Sequence, residues 1–249
     1  VTFAVSGAGK SYASKLEILR SLMFDIDIII IDPENEYEYL AQTVGGKFFR
    51  ISLTSPHHLN PFDLPVPRED ESPSDVFRSN TINLIGLFRI MVGGLTPEED
   101  SLLDNAIVET YASRDITVDS DFSKITPPTL SDLALVLAGT EGGEVLAIKL
   151  KKFTEGTWAG FLNQQTNIDI NNRLVVFSIR DMEEELRPVA MYIVLHFIWN
   201  TVRSKLKKRL LVVDEAWILM RHEDGASFLY GIAKRGRKYY LGLSTITQD

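Results

Sequence analysis

The sequence predicts an α/β fold: a parallel sheet with helices on both faces, interrupted by an all-helical inserted lobe. Three observations predict it. Residues 26–31, 210–213 and 240–246 are almost continuously apolar, the texture of strands covered on both faces. At the start of the chain a strand-like run, a glycine-rich turn, a helical pattern and a second strand follow in order, which makes a βαβ unit with an expected right-handed crossover. Between about residues 65 and 165 no strand-like run appears, only helical spacing.

In chain order, residues 1–5 form a short apolar, partly β-branched run, and residues 14–23 follow at helical spacing. The isoleucine run 26–31 is broken only by Asp27, and residues 48–53 are a further strand. Pro65, Pro67 and Pro73, with Arg68-Glu69-Asp70-Glu71-Ser72 between them, make a polar connector. Helices are then expected over 75–91, 96–113, 129–138 and 143–153. Thr96-Pro97-Glu98-Glu99 is a helix start, with an N-cap threonine, proline at the first helical position and a capping-box glutamate. Strands return at 173–179, 210–213 and 240–246, with a helix over 188–206. The expected domains are therefore 1–64 with 166–249 as the α/β part, and 65–165 as the insertion.

A chain of 249 residues suits one large domain, or one domain carrying a sizeable insertion. It has no cysteine, which excludes disulfides and thiolate–zinc sites and fits a reducing compartment. The net charge of −8 argues against a surface built to hold nucleic acid along its whole length, though not against a local basic groove. No signal-peptide pattern is visible in the first residues of this sequence. The longest uncharged apolar run, 188–202, contains His196 and Asn200 and is too short for a membrane span, so a soluble chain is expected. Val1 already lies in a strand-like run and Asp249 follows another directly, which predicts part of a longer protein.

Ser6-Gly7-Ala8-Gly9-Lys10-Ser11-Tyr12 stands between the first strand and the first helix. Backbone N–H groups of such a turn, opening onto a helix N-terminus, offer donors and partial positive charge to phosphate oxygens. Lys10 is placed to reach the β- and γ-phosphates and the Ser11 hydroxyl to ligate Mg²⁺. The full phosphate-loop pattern wants glycine at Ala4; either alanine is tolerated there or residues are missing between strand and loop. The expected ligands are ATP and Mg²⁺.

Leu210-Leu211-Val212-Val213-Asp214-Glu215 is an apolar strand ending in two carboxylates, at the sheet edge where ligands bind. Asp214 would hold the metal shell, and Glu215 would orient and deprotonate the attacking water. The adjacent glutamate favours hydrolysis over transfer to a second substrate. In a RecA-like sheet the strand ending at Gln248 lies beside the acidic one, which makes Gln248 a candidate γ-phosphate sensor. Asp32, Glu34 and Glu36 lie at the tip of the isoleucine strand, on the catalytic edge; Glu36 would contact the attacking water or a neighbouring subunit, with plain surface solvation as the other reading. His57-His58 lack further ligands at metal spacing and read as loop residues. Met182, Met191, Phe197 and Trp199 read as helix core, and residues 203–209 as a basic helix end. The run Lys234-Arg235-Gly236-Arg237-Lys238 is either a solvated charge run or the source of a catalytic arginine.

With these motifs in order the chain resembles the HerA–FtsK superfamily of pumping ATPases. More closely, it resembles the C-terminal motor domain of the TraC/VirB-type ATPases of type IV secretion and conjugation. The resemblance rests on Ile31-Asp32-Pro33-Glu34-Asn35-Glu36-Tyr37, Leu59-Asn60-Pro61-Phe62, Asn171 to Arg180, Val213-Asp214-Glu215-Ala216-Trp217, Arg237-Lys238-Tyr239 and Ser244-Thr245-Ile246-Thr247-Gln248. It implies a RecA-like sheet with a helical insertion, and ATP hydrolysis powering pilus assembly and substrate transfer. It also implies a homo-oligomer, hexameric when active, working with coupling and assembly ATPases at the cytoplasmic face of the bacterial inner membrane. Rings of this kind complete the active site with a neighbour's arginine, for which Arg237 is the candidate and Arg235 the reserve. The alternative function is a HerA/FtsK-like DNA translocase; a nucleotide-binding scaffold without turnover is a third reading.

Overall fold

The computed structural model describes residues 9–247. Within it the chain divides into two compact units. One comprises the residues up to Ser52, Asp169–Met191 and those from Leu206 on; the other comprises Leu53–Ile168 and Tyr192–Lys205.

The first unit is built on β1 (Asp27–Asp32), whose four central isoleucines leave no polar face and whose six residues are all buried. β-Branched side chains suit that position, and each fully enclosed isoleucine contributes ~1.5–3 kcal/mol. β1 pairs in parallel with β3 (Leu174–Ser178) on one side and β4 (Arg209–Val213) on the other. β2 (Lys47–Arg50) joins β3, and β5 (Leu241–Thr245) joins β4, giving the order β2-β3-β1-β4-β5 with every pairing parallel. The strand expected over 48–53 is this shorter β2; Ile51 N–H still reaches Ser178 O at 2.8 Å before the chain leaves the sheet.

On one face Ile28, Ile30, Leu174, Val176 and Val212 pack against Ile18 of α1 (Lys10–Met23) and against Leu40 and Ala41 of α2 (Glu38–Val44). The alternate residues Ile29, Ile31, Val175, Phe177, Leu211 and Val213 are equally buried on the other face. The two-sided burial read from the apolar runs is therefore present in β1 and β4 but not in the 240–246 run: β5 is an edge strand in which only Leu241 is buried, with Gly242 and Thr245 exposed.

The helical unit contains α3 (Pro73–Val92), α4 (Pro97–Ala112), α5 (Leu130–Gly139) and α6 (Glu144–Thr154). The α4 start is capped as its sequence predicts: Glu99 N–H donates to the Thr96 hydroxyl at 3.2 Å and Thr96 N–H to the Glu99 carboxylate at 3.0 Å. Arg89–Asp100 (2.6 Å) ties α3 to α4, and Lys149–Glu99 (2.5 Å) ties α6 to α4. No strand is drawn from this block among the described residues.

The unit reaches beyond the 65–165 block because two further segments are bonded into it. Asn60 Nδ2 donates to Pro128 O at 2.9 Å, Asn60 Oδ1 accepts Phe62 N–H at 3.0 Å, and Asn60 N–H reaches the Thr166 hydroxyl at 2.7 Å. α7 (Arg187–Ser204) falls across the division, and from Tyr192 on it counts with the helices. There His196 Nε2–H donates to Asn80 Oδ1 (2.9 Å), Asn80 Nδ2 to the Tyr111 oxygen (3.0 Å), and Tyr111 O–H to Phe62 O (2.8 Å). Such a buried chain is stable only when every member is satisfied. No described helix is long and apolar enough to cross a membrane.

Candidate functional site

Parallel strands all end at one edge, and there the first unit gathers its acids. Asp32 closes β1, and Asp214-Glu215 follow β4 directly. Ile31 is in register with Val213, and Asp214 N–H donates to Ile31 O at 3.0 Å, so the two tips are neighbours.

Asp32 is fully buried and accepts the N–H groups of Glu36 and Tyr37, both at 3.0 Å. Burial raises its carboxyl above the ordinary value, against the pull of those N–H groups. Glu34 and Glu36, by contrast, are exposed. Tyr37 is fully buried and its hydroxyl lies 3.3 Å from that of Ser14, tying α1 to the β1 tip. Burial and then the charge of Asp214 raise its phenol well above the usual range.

Asp214 is 5% exposed, and its carboxyl is pushed up to about 7. Burial is the main cause; the charges of Glu215, Glu36 and Asp32 add to it, and the Glu215 N–H at 2.9 Å opposes it. A buried carboxylate among other carboxylates is what a divalent cation would discharge. Among the described residues no three acids or histidines converge as a metal cage. Mg²⁺ held largely by phosphate and water takes only one or two protein oxygens. One carboxylate such as Asp214, with a hydroxyl such as that of Ser11, is a donor set of the chemical kind that would meet this demand.

α1 opens after Gly9, whose φ of +87° is left-handed and easy only for glycine. Gly9 supplies no side-chain cap and the first turn carries no acid, a helix start of the kind that suits an anion. Lys10 is the first residue of the helix, Ser11 is half-buried, and Tyr12 is 72% exposed. Ser6, Gly7, Ala8 and Gln248 lie outside the described residues.

Glu215 has a φ of +46°, an uncommon conformation for a residue with a side chain, and is 7% exposed. Its Oε2 accepts the indole Nε1–H of Trp217, the first residue of α8 (Trp217–Met220). The Arg221 guanidinium lies 4.0 Å from the centre of that indole. Glu36, Glu215, Trp217, Arg187, Arg221 and His222 line a cleft of about 600 Å³. α9 (Glu223–Arg235) follows, held close to α8 because Gly225 has no Cβ; one there would stand 2.4 Å from Leu219 O.

Arg235 ends α9, and Arg237 sits in the 3-10 turn Gly236–Tyr239 that feeds the N-terminal end of β5. Both are exposed, at the sheet edge opposite Asp214. The structure therefore brings together Ser14, Asp32, Tyr37, Asp214 and Glu215, and leaves Arg237 apart from them within one chain. Trp217 and Tyr37 were visible in the sequence only as parts of family motifs; their sequence signal is an aromatic at a fixed offset after an acidic strand tip.

The TraG P-loop domain family matches residues 143–249, and the Helicase HerA central domain family matches residues 2–70. The chain is 41% identical over 255 residues to the DNA import protein CedB of Sulfolobus acidocaldarius, spanning 98% of this chain but 39% of that protein. The solved structure of VirB4 of Thermoanaerobacter pseudethanolicus superposes with a TM-score of 0.87 at 30% identity, covering 99% of this chain and 68% of that one. The plasmid coupling protein TrwB, solved in complex with ADP and Mg²⁺, shares the fold at a TM-score of 0.56 and 14% identity, over 98% of this chain and 61% of its own. An acid-tipped parallel sheet, a glycine-opened helix and this likeness agree: the chain belongs to the VirB4 family of P-loop ATPases, within the HerA–FtsK superfamily.

Proposed function

We propose that the chain is an ATP-hydrolysing motor domain that powers type IV secretion, driving conjugative transfer and pilus assembly. The observation that supports it most is the buried Asp214-Glu215 pair, beside Asp32 and linked through Tyr37 and Ser14 to the helix that opens at Lys10. Lys10 and the loop Ser6–Ser11 bind the triphosphate, with Tyr12 beside them. Bound Mg²⁺, held by Ser11 and Asp214, would neutralise charge developing on the phosphates. Glu215 orients the attacking water and takes its proton. Gln248 senses the γ-phosphate. Arg237, remote from its own chain's acids, acts on the nucleotide of a neighbouring copy in a homo-oligomer, hexameric when active. The residues of the helical insertion supply none of these groups and form a lobe separable from the chemistry. In this reading the motor works with coupling and assembly ATPases at the cytoplasmic face of the inner membrane.

A second reading, a DNA-translocating ATPase, is favoured by the 41% identity to a DNA import protein. Phosphate release measured against protein concentration, with and without DNA, separates the two. DNA-stimulated turnover that weakens with salt supports translocation. The chemistry itself is tested by substitution. Lys10→Ala is expected to abolish hydrolysis and weaken ATP binding. Glu215→Gln is expected to bind ATP but turn over ~10²–10⁴-fold more slowly. Parental rates in folded variants would overturn the site.

A further inference from the structure

We infer that Trp217 is a positioning residue for Glu215, and that Arg221 links that positioning to the state of the adjacent cleft; this rests on reading Glu215 as the general base. A base must be aimed as well as basic, because proton transfer needs hydrogen-bond geometry to the water. Glu215 is held by two constraints that no ordinary strand end requires. Its backbone is left-handed, a conformation that persists only where surroundings over-determine it. Its carboxylate is fixed through Oε2 by the indole N–H of Trp217. A charge-assisted bond of this kind is stronger and more directional than a neutral one.

The indole is itself fixed. Trp217 opens α8, whose next two residues, Ile218 and Leu219, are buried and anchor the turn, and the close approach of Gly225 to Leu219 holds α9 against it. Arg221, one helical turn on, stacks over the ring at 4.0 Å, and a cation over an indole face polarises its N–H toward the acceptor. Arg221 is exposed and lines the cleft together with Trp217 and Glu215. The three form one wall, so an occupant that draws the guanidinium away loosens the indole and, through it, the base. A ring present only for packing would need neither its N–H at Glu215 nor a guanidinium on its outer face.

The test measures kcat by phosphate release and nucleotide affinity with a fluorescent ATP analogue, at a protein concentration where the parent hydrolyses ATP. Trp217→Phe keeps a ring for Arg221 and removes the N–H. It is expected to lower kcat about tenfold, the scale of one hydrogen bond to a charged group, with nucleotide affinity unchanged. In a Glu215→Gln background the same change is expected to cost nothing further, because residues acting as one unit do not add. Arg221→Gln is expected to lower kcat about threefold with the same dependence on Glu215. As an exposed position it carries the test even if Trp217→Phe fails to fold. Unchanged kcat in both variants, or equal losses in the parent and Glu215→Gln backgrounds, would overturn the inference. Glu215→Gln turning over at the parental rate would instead remove the general base itself, and the positioning role with it.

Discussion

Asp63→Asn is expected to stabilise the protein at neutral pH, although it alters a hydrogen-bonded, half-buried residue of the helical unit. Asp63 accepts the Thr166 hydroxyl at 2.5 Å, and burial pushes its carboxyl up from 3.8 to about 6. The folded state therefore holds this proton more tightly than the unfolded one. Its contribution is full below pH 3.8 and is lost as pH rises through 6. The interval corresponds to about 3 kcal/mol at 1.36 kcal/mol per unit, and to ~2 kcal/mol once its half-buried side chain is allowed for. Asparagine keeps an acceptor for Thr166 and never ionises. His196 acts in the opposite sense. Burial, and then the charge of Arg203, push its imidazole down from 6.5 to about 4, so its contribution is full above 6.5 and is lost as pH falls through 4. Between pH 4 and 6 the two groups nearly cancel in the parent. Thermal unfolding followed by circular dichroism at pH 4, 5, 6 and 7 tests this. Asp63→Asn should melt ~4–8 °C above the parent at pH 7, with the gap closing toward pH 4. His196→Gln should lose the acid-side decline and grow more stable, relative to the parent, as pH falls. A difference between Asp63→Asn and the parent that does not change with pH would refute the reasoning.

Two further expectations concern other parts of the chain. Mixing Arg237→Ala protein with Lys10→Ala protein should partly restore hydrolysis, since each supplies what the other lacks; no restoration where rings demonstrably form would leave Arg237 a surface charge. Asn60→Ala should destabilise the helical unit by ~2–4 kcal/mol, because it strands the Pro128 carbonyl and the Phe62 N–H; calorimetric unfolding together with unchanged nucleotide affinity of the surviving fold would show the effect to be structural.

Much of the architecture was legible because its signals are local. Continuous apolar runs ending in charge marked β1 and β4 and their acid tips, and Thr96 with Glu99 marked the start of α4 to the residue. α9 was not legible as a helix. Gly225 and Gly231 lower its intrinsic propensity, and the reason for Gly225 is a close approach to Leu219 that only folding reveals. The chain from His196 through Asn80 to Tyr111 was also hidden: its first link joins residues 116 apart, and no periodicity records such a pairing. The Asn-Pro-Phe stretch served as a family signature in the sequence, and in the structure Asn60 is a clamp on the helical unit rather than part of the chemistry. At the acidic edge the residue types were legible but their burial was not. Asp32 and Glu36 lie four residues apart on one turn, yet only Asp32 faces inward to take the two backbone N–H groups.

The left-handed backbone at Glu215 bears on how this chain came to have its sequence. Glycine or asparagine would adopt that conformation with less strain, and a chain selected for stability alone would have drifted to one of them. A glutamate there costs the fold of order 1 kcal/mol, strain that the proposed role as general base would account for. Stabilising substitutions gathered by screening for heat resistance should therefore fall at this residue as readily as on the surface, and those that do would yield sturdier proteins that no longer turn over.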